Sequence, residues 1–171
     1  MPTKLASFRA EDAERITGMS VAQQHIKRSR EQLTPLTGRN SLTAFLLAEM
    51  SFVEKVAKLD LNTGIKNLSV RGKAAKWIAY WALMHPLAFP ERTNVADQEK
   101  ISRKLLHIRT DQEPVQFMVL PVASGVPITW KNVAWTNNPE DIREAATITI
   151  SLKMLGENIA EQAGTLVEIS Q

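Results

Sequence analysis

The chain has 171 residues, 21 Lys plus Arg against 18 Asp plus Glu and 44% hydrophobic residues, the composition of an ordinary globular protein of one domain or two small ones. It has no Cys, which excludes a disulfide framework, a thiolate zinc site, an iron–sulfur cluster and a cysteine nucleophile. No apolar run approaches the roughly 18 residues of a membrane span, and the opening residues lack the hydrophobic centre of a secretory signal, so a cytoplasmic origin and no membrane partner are expected.

The charge is divided along the chain. Residues 1 to 110 carry 18 basic and 10 acidic residues, whereas 111 to 171 carry 3 basic and 8 acidic. A basic half can attract nucleic acid or an acidic surface, and an acidic half repels a phosphate backbone.

Residues 1–39 read as a polar arm or peripheral helix. Ser20 can cap a helix through about Leu33, with Val21 and Ile26 as its main apolar anchors and Lys27, Arg28 and Arg30 as a solvated basic cluster. Residues 40–110 read as a helical domain. Asn40 or Ser41 caps a run in which Leu42, Phe45, Leu46, Phe52, Val53, Val56 and Leu59 recur at three- and four-residue spacing, which predicts an amphipathic helix to about Asp60. Ile65 to Arg71 alternates and predicts a short strand. After Gly72, Trp77, Ile78, Tyr80, Trp81, Leu83 and Met84 predict a buried helix that Pro86 and Pro90 stop. Trp77 and Trp81 share a helical face and are expected to pack on Phe45, Phe52 and Val56. A further helix is predicted from Thr93 or Asn94 to about Ile108.

At Pro114 the apolar period changes to two, and residues 111–171 read as an antiparallel β domain. The predicted strands are Val115 to Val119, Val126 to Trp135 with a bulge near Lys131 and Asn132, Ala145 to Met154, and Thr165 to Ser170. A short helix over Glu157 to Ala163 interrupts them. The segregated periods predict an α+β protein, a helical N-terminal part followed by an antiparallel C-terminal sheet.

The chemistry-bearing residues do not assemble into a reaction. His25, His85 and His107 have no partner His at metal-ligand spacing, so capping or surface roles are expected and no metal. There is no GxSxG or SxxK for a serine nucleophile and no clustered glycine loop for phosphate. The acid pairs Asp111/Glu113 and Glu140/Asp141 fall in turns, so no catalytic residue and no cofactor are assigned.

Two non-enzymatic readings remain. In residues 113 to 157 a strand, a loop, a Trp-bearing strand with Trp130 and Trp135, an Asn-rich loop with Asn137 and Asn138, and an alternating strand with Thr147, Thr149 and Ser151 follow one another. The stretch AWTNNPEDIREAATITISLKM resembles the closing hairpin of the tail-tube family of contractile phage tails and related injection machines. The resemblance implies a tube-like sandwich or barrel, a structural subunit of a tail, baseplate or tail end, partner subunits in a homo-oligomer or ring, and a place in a virion made in the bacterial cytoplasm. Tube subunits are mostly β from the start, and the long helical part here departs from them, which favours a baseplate, hub or tail-end adaptor.

The alternative is a ribbon-helix-helix DNA-binding regulator, since Gly64 to Ile108 reads as a strand followed by two helices. Asn67, Ser69 and Arg71 would then read bases, with Lys66, Lys73 and Lys76 on phosphates. The residues between the helices, which include two prolines, depart from the short turn of that motif.

Overall fold

The structure is a computed structural model that describes residues 3–37, 42–59, 68–88, 103–109, 116–122, 128–130, 133–135 and 147–169. These residues are mostly helical. Strand β1 (Thr3–Leu5) leads into α1 (Ala10–Thr17) and α2 (Val21–Ser29). Gly18 ends α1 in the left-handed region at φ 78°, its N–H donating to the Glu14 carbonyl at 2.8 Å. Ser20 begins α2 as the sequence predicts: its Oγ accepts from the Gln23 N–H at 3.2 Å while its own N–H reaches Gln23 Oε1 at 3.1 Å.

The N-terminal segment, expected as a polar arm or peripheral helix, forms α1 and α2 and contributes to the core. Ala13, Ile16, Met19 and Leu33 are buried in the same core as the later helices. Of the expected anchors of α2, Ile26 is exposed; the buried residue is Gln24, whose Nε2 donates to the carbonyls of Ala10 and Met19. Glu31 adopts φ 58° and closes α2 in a Schellman turn, with Gln32 N–H on the Lys27 carbonyl and Glu31 N–H on the Arg28 carbonyl.

Helix α3 (Ala44–Lys58) begins after Thr43, slightly later than expected; Asn40, Ser41 and Asp60 lie outside the described residues. Its buried face includes Leu47, Ala48, Phe52, Val53 and Val56, whereas Phe45 is exposed. Helix α4 (Leu68–Met84) takes in Leu68 to Arg71 of the segment expected as a strand, while Ile65 to Asn67 lie outside the described residues. The helical face Arg71, Ala74, Ala75, Ile78, Ala79, Ala82 is buried without a break, so the period that controls this segment is that of the helix. Two apolar residues in alternation are too short a signal to oppose it. Pro86 ends the helix as expected, with Ala88 N–H on the His85 carbonyl at 3.0 Å and Leu87 N–H on His85 Nδ1 at 3.3 Å.

The remaining strands are β2 (Arg103–Arg109), β3 (Gln116–Val122), β4 (Ile128–Trp130), β5 (Val133–Trp135) and β6 (Thr147–Ser151). β2 replaces the end of the helix expected through Ile108. It is the central strand of the antiparallel order β3-β2-β6, and its sequence, RKLLHIR, sets Leu105 beside Leu106 and so lacks the strict alternation that marks a strand locally. The predicted bulged strand over 126–135 is instead two strands paired with each other, with Ile128 opposite Trp135 and Trp130 opposite Val133.

The C-terminal sandwich or barrel is overturned. The strand expected to Met154 stops at Ser151, where Ser151 Oγ accepts from the Met154 N–H at 3.3 Å and starts α5 (Leu152–Ala163). Leu152, Gly156, Ile159 and Ala160 recur at helical spacing on the buried side of α5. The last strand, β7 (Val167–Ile169), pairs antiparallel with β1 and not with the β2 sheet: Thr3 stands opposite Ile169 and Leu5 opposite Val167. One apolar cluster joins residues of α1, α3, α4 and α5 from Ala13 to Leu166, and Ile150, Leu152, Ile159, Ala160 and Leu166 of the segment 111–171 belong to it.

Candidate functional site

Buried charge is the first place to look for chemistry, because an ionised group out of water needs a specific reason to be there. Glu49 of α3 and Arg71 of α4 meet in the interior, Arg71 Nε on Glu49 Oε1 at 2.8 Å, with side chains 7% and 8% exposed. Thr34, in the segment after α2, donates its N–H to Glu49 Oε2 at 3.0 Å and its hydroxyl to Oε1 at 3.0 Å. Arg71 Nη1 also donates to the Glu31 carbonyl at 3.2 Å. Nearby, Arg28 of α2 points Nη2 at Met50 Sδ at 3.6 Å, and burial lowers its pKa against the opposing pull of Glu49.

The cluster ties three segments together. Both carboxylate oxygens of Glu49 accept hydrogen bonds, so it is equipped to hold the 31–34 segment against α3 and α4 and not to exchange a proton with a substrate. Among the described residues no group of three or more His, Cys, Asp or Glu could hold a metal ion, and no helix is long and apolar enough to cross a membrane.

The residues singled out for assembly are separated. Trp130 and Trp135 lie on the β4–β5 ribbon, while Thr147, Thr149 and Ser151 lie on β6, opposite Arg109, His107 and Leu105 of β2. These are different sheets, and Asn137 and Asn138 lie outside the described residues. Ser151 is a helix cap. Of the DNA-reading set, Ser69, Arg71 and Lys73 are helical, Arg71 is buried, and Lys73 and Lys76 are exposed on α4. Asn67 and Lys66 lie outside the described residues. The strand that a ribbon-helix-helix reader requires is therefore helix from Leu68 onward.

Sequence reasoning missed Glu49 and Thr34 and misread Arg71 and the cluster's Arg28. A signal was present at Glu49: the apolar stripe of α3 skips this position although it lies four residues after Phe45 and three before Phe52. A carboxylate on such a stripe calls for a buried cation. Compared with models of known protein families and with curated proteins, the chain matches none.

Proposed function

We propose that the protein is a non-catalytic structural subunit of a larger assembly, with a phage tail, baseplate or tail-end component as the most specific form of the reading. The observation that carries it is the sheet β3-β2-β6, which among the described residues ends on β6, a strand paired on one side only. A neutral, β-branched strand edge of this kind is a template for another chain, and proteins that act alone blunt such edges. The Trp-bearing ribbon and the alternating Thr147–Ser151 strand, on which the resemblance to tail-tube proteins rests, are both present as strands. The tube-like barrel is not part of this reading, since the chain leaves β6 directly for α5.

Electron microscopy of the purified chain and of particles from its native source tests the proposal. Rings or density within particles are expected. A chain that remains single, is absent from particles and binds duplex DNA with an affinity falling steeply with salt would overturn the assembly reading in favour of a regulator.

A further inference from the structure

Among the described residues β3 and β6 are the outer strands of the β3-β2-β6 sheet, and they differ in what they offer a neighbour. β3 carries Pro121 inside the strand, opposite Lys104 of β2. A proline within a paired strand has its nitrogen on the side away from its partner, so the outer edge of β3 lacks a donor there. β6 has no proline, glycine or charged residue. Its sequence, Thr-Ile-Thr-Ile-Ser, also reads nearly the same in both directions.

We propose that β6 pairs antiparallel with β6 of a second copy about a two-fold axis at Thr149, so that two sheets become one. This inference rests on the assembly reading above and names its first partner. In that register Thr149 stands opposite Thr149, Ile148 opposite Ile150 and Thr147 opposite Ser151. Hydroxyl residues thus meet hydroxyl residues and isoleucine meets isoleucine, the cross-strand combinations that favour pairing, and no like charges are opposed. A slip of one residue would set Thr against Ile, and a slip of two, centred on Ile148 or Ile150, would pair only three of the five strand residues, so the register centred on Thr149 is the one that pairs the whole of β6. A two-fold contact uses one edge twice, whereas ring closure through this sheet would bring β6 of one copy to β3 of the next, the edge that Pro121 interrupts.

The absence of Cys makes single-cysteine variants clean probes. The wild-type chain should sediment at twice its 19.1 kDa. Thr149→Cys should crosslink to itself on mild oxidation, because directly opposed Cα atoms lie about 4.5–5.5 Å apart, within disulfide reach. Thr147→Cys should not, since its symmetry mate would lie about four residues along the pair, roughly 13 Å away. Thr149→Lys and Thr149→Glu should each sediment as monomers, and mixing them should restore a dimer. Circular dichroism establishes that each variant is folded, and the crosslinking pair decides if either charged variant is not. A monomeric wild type at its highest soluble concentration, or Thr149→Cys crosslinking no faster than Thr147→Cys, would overturn the pairing. If larger oligomers or particle association persist in that event, the assembly reading stands without β6. If the crosslink forms but the chain never enters particles, the pairing stands and the assembly reading fails.

Discussion

Glu49 and Arg71 carry opposite charges where the surrounding residues are apolar, and each is tolerable only because of the other. Removing two charges from water costs several kcal/mol per ion, which a 2.8 Å ion pair with the Thr34 donors can offset only while both partners remain. Arg71→Ala should therefore cost about 3–5 kcal/mol in urea unfolding, since it takes the ion-pair partner from a buried carboxylate and leaves it only the Thr34 donors and the less direct pull of Arg28. Replacing both by leucine should be closer to wild type than either single leucine variant, because an apolar pair has no charge to desolvate. If Arg71→Ala unfolds at the wild-type urea concentration, the pair contributes nothing and the 31–34 segment is held by other contacts. The charged partner also explains why this site was hard to read: an arginine on the buried face of a helix looks, in sequence, like the polar phase of a strand. The Glu49 end was legible as a gap in the α3 stripe, but a gap does not say which cation fills it.

Two helical glycines show how differently the same residue serves an element. A Cβ at Gly72 of α4 would meet nothing within 4 Å, whereas one at Gly156 of α5 would stand 2.5 Å from the Ile78 carbonyl oxygen and 2.7 Å from Trp81 Cβ. Gly72→Ala should raise stability by about 0.5–1 kcal/mol, because alanine loses less backbone freedom in a helix and nothing obstructs it. Gly156→Ala should have the opposite sign, costing roughly 1–3 kcal/mol as α5 is pushed off the backbone of α4. Thermal melting of the two variants checks both, and equal shifts would mean that α4 and α5 are not in close contact. The same crossing explains what was legible in the elements. The course of α3, the Ser20 cap of α2 and the stop at Pro86 follow from local periodicity, capping and proline geometry, and the structure has them all. The fate of Leu152 to Ala163 does not follow from alternation, because its first apolar residues fit a strand as well as a helix. The close fit of Gly156 on α4 favours the helix, and such a fit lies outside any local pattern. The partner of β7 is equally non-local, since β1 lies at the other end of the chain.

Taken as a whole molecule, the described helices and the two chain ends form one connected body. β1 pairs with β7, Leu166 N–H donates to the Ala88 carbonyl at 3.1 Å, and Arg15 Nη1 of α1 donates to the Gln162 carbonyl at 2.7 Å. Trp81 lies where these parts converge. It is 3% exposed, its ring carries Lys153 Nζ at 5.4 Å from the centroid, and its Cβ marks the contact with Gly156. The expectation that it packs mainly on α3 thus misses its contact with the C-terminal helix. Trp77, by contrast, is only partly buried against the core and makes an edge contact with Tyr80, their ring centroids 5.4 Å apart. Trp81→Ala should cost about 3–5 kcal/mol, a large share of the 5–15 kcal/mol that stabilises a domain. Because α4 and α5 share the side chain, the loss should not stay in the N-terminal half. Amide hydrogen exchange should accelerate in Leu152–Ala163 as well as in Ala44–Lys58 and Leu68–Met84, and by similar factors. Faster exchange confined to the first two helices would mean that the C-terminal helix is a separate cooperative unit, and an unchanged melting temperature would mean that Trp81 serves an interface instead of the core.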